Sequence, residues 1–284
     1  MTGWAARLFA RERDLRMAWE VEWRGRRSVL VGAAHFFPYR FRSPLRAHVR
    51  AARVVVLETP LDAAARSKVI AAGSGRRGAS LYDALGAATR RRIEELLETD
   101  APVSAASRLY WELLRGGAEG HGAELRRLEP WMAFFHIWTE LRRHDGWHYS
   151  VDLEIARLAS GLGRDVCYLE SIEEQIDALS RVPLQRFVDF LERADWEAYR
   201  RDYVRHYLRG DVDALTELAR TFPTFCDPVI GERGPLLAER MAPYLDQGGA
   251  VVCVGILHCR GLIALLRERG YTVARPRELE GRMS

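Results

Sequence analysis

"SVLVGAAHFF", residues 28–37, decides how the fold is read. Small and apolar residues run without a charge into a histidine, the pattern of a strand buried on both faces that delivers an imidazole at its end. Just upstream, "MAWEVEW" (17–23) alternates apolar and polar residues, and the intervening "RGRR" predicts an antiparallel hairpin. Further along, "VVVLE" (54–58) and "DVCYLE" (165–170) are short strand-like runs, each ending on a glutamate. Near the other end, "GAVVCVGILHCRG" (249–261) repeats the first device, an apolar strand followed by Gly-x-x-His. The two pairs are Gly32 with His35 and Gly255 with His258.

Between these strands the spacing is helical. "SPLRAHVRAAR" (43–53) predicts a helix with Ser43 at its cap and Pro44 in its first turn. From about 60 to 163 the pattern stays helical: "LYDALGAATRRRIEELLE" places Leu81, Leu85, Ala88, Ile93 and Leu96 on one stripe. "EPWMAFFHIWTELRR" (129–143) is apolar nearly all round, and "SVDLEIARLASGLG" (150–163) predicts a helix with Asp152 near its start and a glycine stop. A second helical tract follows residue 171, and "ERGPLLAERMAPYLDQGG" (232–249) is a helix ending in glycines. "RGLIALLRERGYTV" (260–273) gives a helix, a stop at Gly270 and a final strand. The expected class is α/β, bordering on α+β: a small central mixed β-sheet with a large helical insertion at about 60–163, within a single domain over 1–284.

Composition narrows the function classes. The chain of 284 residues is 48% hydrophobic, enough to bury a sizeable core. Its 43 basic residues oppose 39 acidic ones, and Lys68 is the only lysine. The arginines interleave with acids, as in "RRRIEELLE" (90–98) and "LERADWEAYRRD" (191–202), so they read as solvated helix faces and no nucleic-acid partner is expected. No segment approaches the roughly 20 apolar residues of a membrane helix. The charged N-terminus lacks a signal-peptide core, so the expected location is cytoplasmic. Cys167, Cys226, Cys253 and Cys259 form no Cys-x-x-Cys pair and read as reduced thiols.

The polar strand ends carry the chemistry. If the strands lie parallel in one sheet, their carboxyl ends share the edge where open α/β sheets place ligands. His35, Glu58, Glu170 and His258 would then meet in one cleft, with Gly32 and Gly255 permitting close approach of backbone or ligand. Two imidazoles and one or two carboxylates suit a divalent transition metal (Mn, Co, Zn or Fe) with a position left open for water. Water activated there attacks a carbonyl while a spare carboxylate shuttles protons, which fits a peptide or small acyl substrate. Without metal, the same set could be a histidine base paired with carboxylates; a third reading is a binder that sequesters a peptide or small ligand without turnover. "HDGWH" (144–148) mimics a zinc helix, but Asp145 replaces the glutamate base and Gly146 weakens the helix. His136 reads as a core histidine, and no Gly-x-Ser-x-Gly elbow is present.

The sequence resembles the TraB/GumN family, related to the pheromone-shutdown protein PrgY and to the Tiki proteins. The resemblance covers nearly the whole chain: the hairpin with Trp19, "VGAAH", "VVLE" around Glu58, "EPWMA", "SVDLEIARLASGLGRDVCYLESIEEQ", "ERGPLLAERM" and "VVCVGILHCRGLIALLRERGYTV". Tiki proteins are described as metalloproteases that use both Gly-x-x-His motifs, so the resemblance implies a metal-dependent hydrolase with His35, Glu58, Glu170 and His258 as metal and catalytic residues. It also implies Asp152 and Arg233 as supporting residues. Two departures stand out: Ala33 and Gly234 occupy positions where the family commonly carries Thr and Asn, which removes hydrogen-bonding groups near the implied site. Many relatives are exported or membrane-anchored; this sequence shows neither feature and leaves room for a homo-oligomer.

Overall fold

The computed structural model describes residues 12–60, 62–75, 78–98 and 121–276. Strands β1 (Ala18–Trp23) and β2 (Arg26–Ala33) form the expected hairpin. Arg24 and Gly25 both have positive φ (49° and 77°), the two-residue turn whose twist suits an antiparallel pair. Helix α1 (Arg42–Ala51) then leads to β3 (Val54–Leu57), all four residues of which are buried. The α1 start differs from expectation: the helix begins before Ser43, Phe41 caps it without a side-chain bond, and the Ser43 N–H donates to the Glu12 carboxylate. A carboxylate brought in from a distant segment does the work that the local serine hydroxyl was expected to do.

β4 (Asp165–Tyr168), β5 (Ala250–Gly255) and β6 (Thr272–Ala274) complete a six-stranded mixed sheet in the order β4-β3-β5-β2-β1-β6. β4, β3, β5 and β2 are parallel, while β1 runs antiparallel to both β2 and β6. The four parallel strands therefore end on one edge. Four helices pack on the sheet and bury apolar stripes: α1 through Leu45 and Val49, α7 (Val151–Gly161) through Ile155 and Leu158, α12 (Arg233–Gln247) through Leu237 and Met241, and α13 (Ile256–Glu268) through Leu262 and Leu266. Gly32 is required here. A Cβ on it would lie 2.4 Å from Ile256 Cδ1 and 3.0 Å from Cys259 Sγ, so α13 could not pack as closely on β2. Gly32→Ala is expected to lower stability by about 1–3 kcal/mol through overpacking, read as a shift in denaturant midpoint at constant slope.

The helical layer has its own core. It contains α2 (Ala63–Gly73), the turn α3 (Leu81–Ala84), α4 (Ala87–Glu98), α5 (His121–Arg127) and α6 (Pro130–His144) from the expected insertion. It also draws on α8 (Ile172–Ser180), α9 (Leu184–Glu192) and α10 (Trp196–Arg209), which follow β4; α11 (Val212–Ala219) follows α10. Conversely α7, at the end of the expected insertion, belongs to the sheet core. Phe134 centres the helical layer, with ring contacts to Phe187, Phe190 and Phe222 at 5.1, 5.8 and 5.7 Å. The helix expected over 81–98 is broken: Leu85 is extended, and the Gly86 N–H is taken by Glu192 from α9. After the break Leu97 is buried and Ala88 is exposed, so the second half of the stripe is rotated from its expected face.

Candidate active site

Each strand end sets its polar residue by a different local device. Past β3 and β4 the ladder continues, with Leu169 N–H on Leu57 O at 2.9 Å and Glu170 N–H on Glu58 O at 3.0 Å, which holds the two glutamates side by side. After β2, the Val151 N–H donates to Ala34 O (3.0 Å) and Phe37 pairs with Tyr149, which docks the start of α7 beside the first motif. Asp152 thereby reaches His35, with Oδ2 3.1 Å from Nδ1. The second motif is built otherwise. Gly255 ends β5, α13 starts at once, and His258 lies in its first turn with its side chain directed back toward the strand end. The two Gly-x-x-His motifs are alike in sequence but one closes in a loop and the other in a helix.

Gly255 marks the centre of the arrangement. A Cβ placed on it would lie 3.5 Å from Glu58 Oε2, 3.7 Å from His258 Cδ2 and 3.9 Å from His35 Nε2. Three of the four expected residues thus converge on the space above one glycine. The Gly255 N–H donates to Glu58 Oε2 (2.8 Å), and His258 Nε2 is 3.9 Å from Glu58 Oε1. Glu170 is drawn in through Arg233, whose Nε donates to Glu170 Oε2 (3.0 Å) while its Nη2 bonds both Glu170 Oε1 and Glu58 Oε1. Arg233 opens α12 directly after a π-helical turn at Asp227–Gly231. A cation at a helix start opposes the macrodipole, so it is the two carboxylates that make this position tenable.

Among the groups that sequence reasoning passed over, Gln175 donates to Glu58 Oε1 (3.4 Å) and accepts from the Thr59 hydroxyl (3.5 Å). It was legible only as part of "SIEEQ", where the Ser171–Glu174 capping box starts α8 and fixes the next residue's direction. The departures Ala33 and Gly234 both stand close by: Ala33 is the last residue of β2, and Gly234 follows Arg233 with open space where its side chain would be. His144 and His148 do not share a helix, because Gly146 adopts φ +73° and ends α6. His136 is buried in α6, as a core histidine should be.

The charges are uneven. Burial raises the Glu58 pKa, but His258, Arg233, the Gly255 N–H and His35 reverse this and hold it down at about 2. Burial pushes Glu170 up to about 7 against the pull of Arg233, with the Glu58 charge adding to the rise. His258, 5% exposed, is lowered by burial to about 4, Glu58 resisting and Arg233 and His35 assisting. Its Nδ1 is buried with no hydrogen-bond partner among the described residues. For His35, enclosure by protein alone would lower the pKa, but the Asp152 charge and hydrogen bond, with Glu58, raise it to about 9. Half of that side chain is open, so solvent moderates the rise. A raised histidine pKa stabilises the fold fully below the unfolded value near 6.5, and that contribution is lost as pH rises through about 9. In Asp152→Asn the His35 titration followed by NMR in metal-stripped protein is expected to fall to 6.5 or below; an unmoved midpoint would remove Asp152 from the site.

All of these groups except Glu170 line a cavity of about 320 Å³ that extends from the sheet edge into the helical layer. Its floor is Glu58, Gly255, His35 and His258, and its walls are apolar and aromatic, including Phe36, Trp131, Phe135, Trp138, Tyr203 and Phe222. Residues 17–275 match the TraB/PrgY/gumN family, nearly the full length of the chain. The chain belongs to that family. No curated protein and no solved structure matches it. Among the described residues of this TraB/PrgY/gumN member, no three His, Cys, Asp or Glu side chains are arranged to hold a metal ion as they stand, and no helix is long and apolar enough to cross a membrane. Glu170, expected as a ligand, has both oxygens engaged by Arg233.

Proposed function

We propose that this chain is a metal-dependent hydrolase that cleaves a peptide or another small acyl compound in the cavity above Gly255. The observation that carries the reading is the convergence of His35, His258 and Glu58 on the space above Gly255, with the His258 imidazole kept neutral by burial. Glu58 and Glu170 share one guanidinium, and His258 has a buried Nδ1 with no hydrogen-bond partner among the described residues. Two imidazoles and a carboxylate around one open space are donors that suit a divalent transition metal. His35, His258 and Glu58 would hold it, Asp152 orienting His35 through Nδ1 in the way outer carboxylates orient metal-bound histidines. When bound, such an ion supplies Lewis acidity toward a carbonyl and makes water acidic enough to react near neutral pH.

The remaining roles fall to the chain's own side chains. Glu58 stays ionised and faces the cavity, whereas Glu170 acts from behind it, through the guanidinium the two glutamates share. Arg233 fixes both glutamates, and the aromatic walls exclude water from the reacting carbonyl. The metal-free alternative is weaker on the same chemistry. His258 is too weak a base, and Asp152 and Glu58 favour the protonated form of His35 until an ion takes that proton's place, as metal binding does. The test is metal content and turnover in protein purified without a His-tag or chelator. The expected result is hydrolysis of a peptide and acyl-ester panel that stops with chelator and returns with Mn, Co, Zn or Fe. Turnover indifferent to chelator would favour the metal-free hydrolase, and ligand binding without turnover would favour sequestration.

A further inference from the structure

The same cavity holds a cation that the reaction does not use. Arg142, near the end of α6, is 1% exposed and lines the cavity. Its guanidinium carbon lies over two indole rings, with the Trp138 centroid at 3.9 Å and the Trp147 centroid at 4.6 Å. Stacking satisfies the faces of a planar guanidinium and leaves its N–H groups on the rim. None of the three nitrogens has a hydrogen-bond partner among the described residues. Asp145 Oδ2 is 3.2 Å from Nη1 without the alignment of a hydrogen bond, and the other Asp145 oxygen is taken by Arg200. Arg200 also meets Glu197 at 3.9 Å, but that glutamate is 90% exposed and stays at the surface. Burial, with Arg200 beside it, lowers the Arg142 pKa to about 9, as expected of a guanidinium short of acceptors. Asp145, shared with Arg200, offsets the charge but leaves the buried N–H groups without hydrogen bonds, which is unfavourable, so a ligand acceptor is their natural complement.

We infer that Arg142 forms a second subsite of the cavity and binds the carboxylate of an apolar ligand. A carboxylate matches the guanidinium rim with two parallel N–H···O bonds. The apolar walls select a ligand whose remainder is aliphatic or aromatic, and a single guanidinium suits a monoanion better than a phosphate dianion. The chemistry is shared by a fatty or aryl-alkanoic acid and by the free C-terminus of an apolar peptide. The inference rests on the cavity being the ligand site proposed above, but not on turnover.

Binding is measured by calorimetry, with Trp138 and Trp147 as fluorescent reporters. The probes are decanoate, 4-phenylbutyrate and acetyl-phenylalanyl-leucine, each compared with its primary amide. In the wild type at least one carboxylate is expected to bind about tenfold or more tightly than its amide, the scale of a charged hydrogen bond. The probe that does so identifies the source of the carboxylate. Arg142→Met is expected to abolish that preference, and Arg142→Lys to retain part of it, since an ammonium keeps charge but not the fork. His258→Ala should keep the preference while losing turnover, which separates this subsite from the hydrolytic one. Equal affinity for acid and amide in the wild type overturns the inference even if Arg142→Met fails to fold. So does a preference that survives in Arg142→Met, or one lost in His258→Ala, which would put the carboxylate at the sheet edge.

Discussion

Arg233→Met is expected to lower stability by about 3–5 kcal/mol, the scale of breaking a buried ion pair by removing one partner. That is a large share of the roughly 5–15 kcal/mol that holds a typical domain together. The side chain is 8% exposed and is the shared donor to Glu58 and Glu170, so its loss leaves two buried carboxylates facing each other. The pH dependence distinguishes this from a simple cavity. In the wild type, the depressed Glu58 pKa gives stability present above the unfolded value near 4.5 and lost as pH falls through about 2. Glu170 acts in the opposite sense, because a carboxyl raised to about 7 disfavours the fold increasingly as pH climbs from about 4.5 through 7. Without Arg233 both carboxyls should rise further. The difference between variant and wild type is therefore largest at pH 7 and above and shrinks toward pH 4.5, where the orphaned groups take up protons. Denaturant midpoints at several pH values measure it, and a difference that stays flat from pH 4.5 to 8 would reduce Arg233 to a packing residue. Arg233→Lys should fall between, since one ammonium cannot fork across two carboxylates.

The parts of this site that were legible in the sequence are those where a short range of chain decides the geometry. An apolar strand that ends on a glutamate puts that glutamate at the sheet edge almost by itself, and so Glu58 and Glu170 stand side by side. Where a distant segment decides, the pattern was silent or misleading. Leu85 fits a helical stripe perfectly well; what ends the helix is a Glu192 carboxylate reaching Gly86 from α9. Ser43 is a sound local cap, displaced by Glu12. His258 was expected at a strand end but lies in a helix, because nothing in "VGILH" tells a loop from a first helical turn. Arg142 reads as one more basic residue near a helix C-terminus, where cations are favoured anyway. Only the fold brings Trp147 from beyond the helix to lie against its guanidinium. Gly255 was expected to permit close approach of backbone or ligand, and what surrounds its missing side chain is Glu58, His258 and His35.

Gly255→Ala should leave the fold intact and stop the reaction. The residue has φ −53° and ψ 134°, a conformation open to alanine, and the added Cβ would meet nothing closer than 3.5 Å. Stability is therefore expected to be unchanged or higher by about 0.4–1 kcal/mol, the usual gain from replacing glycine where the backbone allows it. What the methyl group occupies is the space between Glu58, His258 and His35, where a reacting carbonyl or an ion must sit. Displacing a reacting group by about 1 Å is enough to lower a rate by roughly 10²-fold, so turnover should fall at least that far while the thermal midpoint holds. His35→Ala and His258→Ala should each reach the same floor, and the double variant should lose little more, because residues that serve one centre are strongly non-additive. Gly32→Ala supplies the contrast: its methyl enters the α13 packing and not the cavity, so it should lower the midpoint and leave the rate of the folded fraction near wild type. If Gly255→Ala kept full turnover, or if the two histidine losses simply added, the space above Gly255 would not be where the chemistry happens. The two Gly-x-x-His motifs would then share a spelling and nothing else.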